Sequence, residues 1–361
     1  MKKFLLPLVS LAALALLPSC SEKFNIAAPY KNITVIYGLL DRADTAHYVR
    51  IQKAFLDDNI SALTMAKNSD SNFFSSLDVV IKKIDFKGRP LGTTTLQRVD
   101  LTAEGYPKEP GAFFNSPNYA YKFTGDIDPS AIYRLVVRNN ASGETDSADA
   151  PVIDDKNLSS FYVYLIDDSG TTQRPLDFAS SNQYQTVTIG GRYTPPFDFS
   201  FQGYTTPVGM VQAILQFNWV DSNTVSGGTS YHSYNYDLGN TGITTAFSYK
   251  PKNISLQGAL KAALGPAPDN TVRLLDRCRL SIYLGTYDFA TYINAQSIQG
   301  TGLTGNEIQP VHTNIKGANA LGLFTSRALR SGPVTLSSNT VDSLKASADF
   351  EVSRIKGTFY H

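Results

Sequence analysis

The chain has 361 residues, 42% hydrophobic and 17% charged, with 32 Lys and Arg against 31 Asp and Glu, a formal charge of +1. A balance this close to neutral gives no electrostatic basis for binding nucleic acid or a broad anionic membrane patch. Two cysteines allow at most one disulfide, so stability must come from core burial, which a chain this long can supply.

Lys2 and Lys3 open the chain, residues 4–17 form an apolar run, and Leu17-Pro18-Ser19-Cys20 follows. This is the layout of a bacterial lipoprotein signal, with a basic start, a short apolar run and a small residue before cysteine. A membrane-spanning helix would need roughly 20 apolar residues, more than the run supplies. Residues 1–19 are therefore expected to be a signal peptide, with Cys20 lipidated and 20–30 a tether. Several acyl chains on one residue give stable attachment where a single chain gives marginal binding. By resemblance to the sorting rule of didermal bacteria, Ser21 after the cysteine favours the outer membrane. Glu22 is a lone acid, short of a surface-export cluster, which leaves periplasmic and outward-facing leaflets both open. Cleavage would remove Lys2 and Lys3 and turn the formal charge of +1 into −1. Lipidation would also leave Cys278 without a disulfide partner.

The chain contains 20 Tyr and 20 Phe, many in short β-branched and aromatic runs between Gly, Pro, Asn and Ser. That texture predicts a mainly antiparallel β protein. Ile33-Thr34-Val35-Ile36-Tyr37-Gly38-Leu39-Leu40 reads as a central strand, with His47-Tyr48-Val49-Arg50-Ile51 as its partner. Further strands are expected at 78–84 and 133–138, the second running into the turn Asn139-Asn140-Ala141-Ser142-Gly143. This spacing predicts an immunoglobulin-like β-sandwich over residues 31–152.

Residues 153–361 are expected to form a larger β-rich domain. Residues 161–166 read as a strand. Val211, Ala213, Leu215, Phe217 and Trp219 alternate with polar Gln212, Gln216 and Asn218, giving one dry face and one wet face. Val272, Leu274, Cys278, Leu280, Ile282 and Leu284 are expected to face the core, opposite Arg273, Arg277 and Arg279. Cys278 then reads as a buried small hydrophobe. Two packing helices interrupt the strands. One is predicted at 255–264, capped by Ser255, carrying Leu256, Leu260, Ala263 and Leu264 and stopped by Gly265-Pro266. The other is predicted at 287–298, capped by Thr286 and ended by Gly300.

Several stretches resemble one family. Ile36-Tyr37-Gly38-Leu39-Leu40 and Asp44-Thr45-Ala46-His47-Tyr48-Val49-Arg50-Ile51 are similar to its first hairpin. Pro310-Val311-His312-Thr313-Asn314-Ile315-Lys316-Gly317 and Leu321-Gly322-Leu323-Phe324 are similar to its ending. The family is the DUF4249-like outer-membrane lipoproteins of Bacteroidota, a domain of unknown function. The resemblance spans nearly the whole mature chain. It implies a β-rich outer-membrane lipoprotein working beside a TonB-dependent transporter, and it provides no catalytic residues.

Chemistry-bearing motifs are sparse. There is no Gly-x-Ser-x-Gly elbow and no phosphate-cradling loop. The four histidines, His47, His232, His312 and His361, lack metal-ligand spacing. His47, between core residues of a strand, reads as structural. Asp154-Asp155 and Asp167-Asp168-Ser169-Gly170 have the oxygens for calcium but not the spaced loop, and such residues serve hairpin turns equally well. No cofactor or metal is expected. The best binding candidate is aromatic: Tyr231, His232, Tyr234 and Tyr236, with His232, Tyr234 and Tyr236 on one strand face and Asn235 and Asp237 on the other. Phe197, Phe199 and Phe201 form a second aromatic run. Flat rings beside amides suit sugar or peptide faces, and they also fill sheet interfaces. The expected function is a non-enzymatic accessory or binding lipoprotein. Glycan or peptide binding through the aromatic strand is one alternative, and an envelope hydrolase with an unmarked carboxylate pair is another.

Overall fold

The computed structural model describes residues 33–54, 61–111, 114–163, 175–179, 189–193, 207–242, 246–266, 268–275, 278–298, 312–346 and 355–357. The signal peptide, Cys20, the tether, Arg277, Gly300, His361, the 167–170 turn and the run at 197–201 lie outside them. The described chain is mainly β, in sheets of ten, four and three strands.

The first half is a two-layer sandwich. β1 (Ile33–Asp41), β2 (Ala46–Ala54), β6 (Tyr119–Thr124) and β5 (Gln97–Asp100) follow one another in one sheet. β4 (Pro90–Thr95), β3 (Leu77–Ile84), β7 (Ile132–Asn139) and β8 (Thr145–Pro151) form the other. These orders reproduce the A-B-E-D and C′-C-F-G layers of the immunoglobulin plan. The inner faces bury Ile36, Leu40, Val49 and Ile51 against Val79, Ile81, Leu135 and Val137. Ala62–Ala66 (α1) and Ser69–Asn72 (α2) are short helical turns joining β2 to β3. Neither is long enough to show a periodic pattern in sequence.

In the second half β11 (Val208–Asn223) is the spine. One edge pairs with β12 (Thr229–Thr241), and the other with β15 (Cys278–Thr286) and then β14 (Thr271–Leu275). Its expected dry face is observed, with Val211, Ala213, Leu215, Phe217 and Trp219 all buried. A smaller sheet of β9 (Leu158–Val163), β10 (Ile189–Tyr193) and β13 (Ala246–Tyr249) contributes Leu158, Ile189, Tyr193 and Phe247 to the same core. Helix α3 (Asn253–Leu264) adds Leu256, Leu260 and Leu264.

Two details of this half differ from the sequence expectation. Lys252, not Ser255, holds the N-cap of α3, and no side chain caps it. The alternation at 272–274 is out of phase with the expectation: Arg273 is buried, whereas Val272 and Leu274 are half-buried. The reason is electrostatic. Arg273 Nε donates to Asp221 Oδ1 at 2.9 Å and Nη1 to the Gly265 carbonyl at 2.8 Å, so the guanidinium is satisfied inside. In β15 the facing is as expected, with Cys278, Leu280, Ile282 and Leu284 buried. Thr286 does cap helix α4 (Tyr287–Ile298), accepting from Phe289 N at 3.2 Å.

β16 (Ala320–Val334) joins the halves. Residues 320–327 pair in parallel with β1, and residues 327–334 pair antiparallel with β15. Val152 belongs to the first core and Ile153 to the second, yet Ile315, Ala320 and Phe324 belong to the first core. The chain therefore returns to its first unit before finishing in the second. The crossing is not a loose linker. Ser326 Oγ accepts from Ile153 N at 3.0 Å and donates to Pro151 O at 2.6 Å, and Arg42 pairs with Asp154. Helix α5 (Ser338–Ala346) closes the second core with Val341 and Leu344, and β17 (Ile355–Gly357) pairs with β14.

Candidate functional site

The aromatic strand is β12, and among the described residues it pairs with β11 alone, leaving its other edge open. Cross-strand register sets His232 opposite Trp219, Tyr234 opposite Phe217 and Tyr236 opposite Leu215. His232, Tyr234 and Tyr236 thus share the core side of the sheet, because residues two apart on a strand share a face. Tyr234 and Tyr236 are half-buried against the main core, and burial raises the Tyr236 hydroxyl above the usual tyrosine range, with Tyr234 adding to it. His232 lies flat on Trp219, ring centroids 5.3 Å apart and 18° between planes.

Tyr231 points to the opposite face and is 81% exposed. Further along the same face runs a polar ladder in which Gln216 Nε2 donates to Asn235 Oδ1 at 3.0 Å and Gln212 Nε2 to Asp237 Oδ2 at 2.9 Å. The four aromatic candidates are therefore divided: three lean on the core and one stands on the wet face.

Ser230, His232 and Asp221 come together without forming a nucleophilic triad. Ser230 Oγ lies 3.0 Å and Asp221 Oδ2 3.6 Å from the same ring nitrogen, His232 Nε2. A triad needs the serine on one nitrogen and the carboxylate on the other. Asp221 is also held by Arg273 through both oxygens, at 2.9 and 3.4 Å.

A cleft of about 440 Å³ opens at the start of α4, bounded by Asp149, Tyr287, Asp288, Asn314 and Lys316. It contains two acids, as a glycosidase would require, but each is engaged elsewhere. Asp149 accepts from Arg134 Nε at 2.6 Å and Nη2 at 2.9 Å, with Lys316 Nζ 3.6 Å away. Asp288 accepts from His312 Nε2 at 3.1 Å and Asn314 Nδ2 at 3.2 Å. These carboxylates are used as structural anchors. The segment at 312–324, which carries the family resemblance, is part of this architecture. Gly322 has φ +122°, and a Cβ there would overlap the Ile36 carbonyl of the neighbouring strand.

The other residues singled out from the sequence have structural surroundings. His47 is 2% exposed, bonded through Nε2 to Gly125 O at 3.0 Å and lying against Phe123. Asp154 caps a 3₁₀ turn through Lys156 N, and Cys278 is a buried thiol. Among the described residues no group of three or more His, Cys, Asp or Glu is placed to hold a metal ion. No helix among them is long and apolar enough to cross a membrane.

No family model matches the chain, and no curated protein matches it. Among solved structures it is similar to the C-terminal globular domain of an oligosaccharyltransferase from Pyrococcus abyssi, at 10% identity and TM-score 0.21, covering 67% of this chain and 45% of that one. It is also similar to CBD12 from CALX1.2, at 8% identity and TM-score 0.16, covering 84% of this chain and 100% of that one. Trypsin-activated alpha-2-macroglobulin from Escherichia coli gives 11% identity and TM-score 0.20, covering 86% of this chain and 22% of that one. Likenesses this slight carry no argument about activity.

Proposed function

We propose that this chain is a non-enzymatic, lipid-anchored outer-membrane protein that serves as an accessory or binding component beside another envelope protein. The observation that carries the proposal is the order Lys2-Lys3, apolar run, Leu17-Pro18-Ser19-Cys20. The side-chain chemistry agrees with it. Asp149, Asp221 and Asp288 are consumed in ion pairs and hydrogen bonds that hold elements together. A TonB-dependent transporter is the partner class that the DUF4249-like resemblance implies, and anchoring beside it would raise local concentration at the membrane. Mild crosslinking of outer membranes, followed by recovery of the protein and mass spectrometry, tests this. A reproducible envelope partner, lost on Cys20→Ser, is the expected result. Recovery of the protein alone counts against a stable partner.

A second reading is glycan or peptide binding on the wet face of β12. Exposed Tyr231 on the same face as the Asn235 and Asp237 ladder favours it, because a ring and polar groups presented on one strand face suit a sugar. Loss of binding to a glycan panel on Tyr231→Ala, with folding retained, would support it.

A further inference from the structure

A groove of about 360 Å³ runs between the outer face of β1 and β2 and helix α4. Its walls are aromatic and aliphatic, with Tyr37, Tyr48, Phe289, Tyr292 and Leu323 around the side chain of Arg50. Tyr37 and Arg50 are direct cross-strand partners, so the guanidinium and the ring share one face. Tyr37 meets Tyr292 edge-on, centroids 6.1 Å apart, which closes the helix side. Burial, with the Tyr292 hydroxyl beside it, pushes the Tyr37 hydroxyl up to about 12.

Arg50 is the informative residue. It is half-buried, burial lowers its pKa, and among the described residues no hydrogen bond or ion pair reaches its guanidinium. A guanidinium taken from water ordinarily brings a carboxylate with it. The nearby acids do not fill that role. Glu104 accepts from the Tyr48 hydroxyl at 3.0 Å and is paired with Lys122. Asp44, in the turn after β1, lines the groove but makes no ion pair with Arg50. Lys108 adds to the positive field: burial and then the Arg50 charge lower its pKa. Cation and aromatic walls together have the complementarity of a site whose anion arrives with the ligand.

We propose that this groove binds a ring-borne carboxylic acid, its carboxylate forked by Arg50 and its ring lying against the edge-to-face pair of Tyr37 and Tyr292. The chemistry is shared by aromatic acids and by sugar acids, whose apolar ring face stacks on tyrosine equally well. The proposal stands independently of the lipid anchor and of β12.

The test is calorimetric titration of the full chain in detergent with paired probes. One pair is 4-hydroxybenzoate and 4-hydroxybenzamide; the other is digalacturonate and its methyl ester. At least one acid should bind about tenfold or more tighter than its uncharged counterpart, the factor a charge-assisted fork provides. Which acid binds identifies the aromatic or the sugar source. Arg50→Gln should abolish the preference, Arg50→Lys should retain part of it, and Tyr292→Ala should weaken binding of acid and neutral probe together. Tyr231→Ala on β12 should change nothing, which separates this groove from the glycan reading. Melting temperatures check that each variant folds, and Arg50→Lys decides the matter if Arg50→Gln does not. No binding by either acid, equal affinity for acid and neutral probes, or a preference untouched in the Arg50 variants overturns the proposal.

Discussion

Asn314 stands beside Phe324 as if it were a neighbouring strand: its Oδ1 accepts from Phe324 N at 3.0 Å and its Nδ2 donates to Phe324 O at 2.7 Å. β15 pairs with β16 only from Arg327 onward, so a side-chain amide takes over where the strand has ended. The second Nδ2 hydrogen reaches Asp288 Oδ2 at 3.2 Å, which ties the start of α4 to the same point. Asn314→Ala would leave two backbone groups of a fully buried residue without these partners. We expect a loss of about 2–4 kcal/mol in urea unfolding. A loss under about 0.5 kcal/mol would mean that water replaces the amide.

Gly322 allows the close approach of β16 to β1. Its positive φ disfavours any side chain, and the Ile36 carbonyl occupies the space a Cβ would need. Gly322→Ala should cost more than about 3 kcal/mol, because neither backbone can move without breaking the parallel ladder. Thermal unfolding followed by circular dichroism would show it, and a melting temperature equal to that of the parent would contradict the steric account.

Asp128 gives a pH signature. Burial pushes its carboxyl up, but the bonds from Lys83 and Ser130 outweigh burial and hold it at about 2. The Lys83 Nζ to Asp128 Oδ2 distance is 2.6 Å. A depressed carboxylate stabilises the fold above its unfolded value of about 3.9 and loses that contribution as pH falls through about 2. Because the pair is partly exposed, the contribution at neutral pH is about 1 kcal/mol. Asp128→Asn should therefore be less stable than the parent at pH 7, with the gap closing between about pH 4 and pH 2. A gap independent of pH would refute it.

β12 offers a stability contrast. Tyr234 and Tyr236 pack on the core, whereas Tyr231 stands 81% exposed on the other face. Tyr234→Ala or Tyr236→Ala should cost about 1–3 kcal/mol through lost burial. Tyr231→Ala should stay within about 0.5 kcal/mol of the parent. Binding assays that use Tyr231→Ala are thus free of a folding penalty, and a large destabilisation there would mean the strand is covered.

What the sequence made legible is local. The alternation of β11, the Leu256, Leu260 and Leu264 stripe and the Thr286 cap each depend on neighbours within a few residues, and all are present. In the first sandwich the runs that became β1, β2, β3 and β7 were legible, whereas the order of strands in its two sheets comes from the structure. Long-range pairings were not legible. Arg273 was expected on the wet face because its partner, Asp221, lies 52 residues away. The parallel match of β1 with β16 has no local signal, and together with the backbone bridge between Ser147 and Lys316 it brings Ile315, Ala320 and Phe324 into the first core. Likewise the groove around Arg50 needed α4 to be brought over the first hairpin, and no spacing in the chain encodes that contact.

Whether Cys20 carries the anchor is decided by mass spectrometry of the N-terminal peptide from native membranes. A peptide beginning at Cys20 and carrying acyl chains is expected, with the protein released into the soluble fraction on Cys20→Ser. An unmodified Cys20, or a mature chain beginning at another residue, would contradict it.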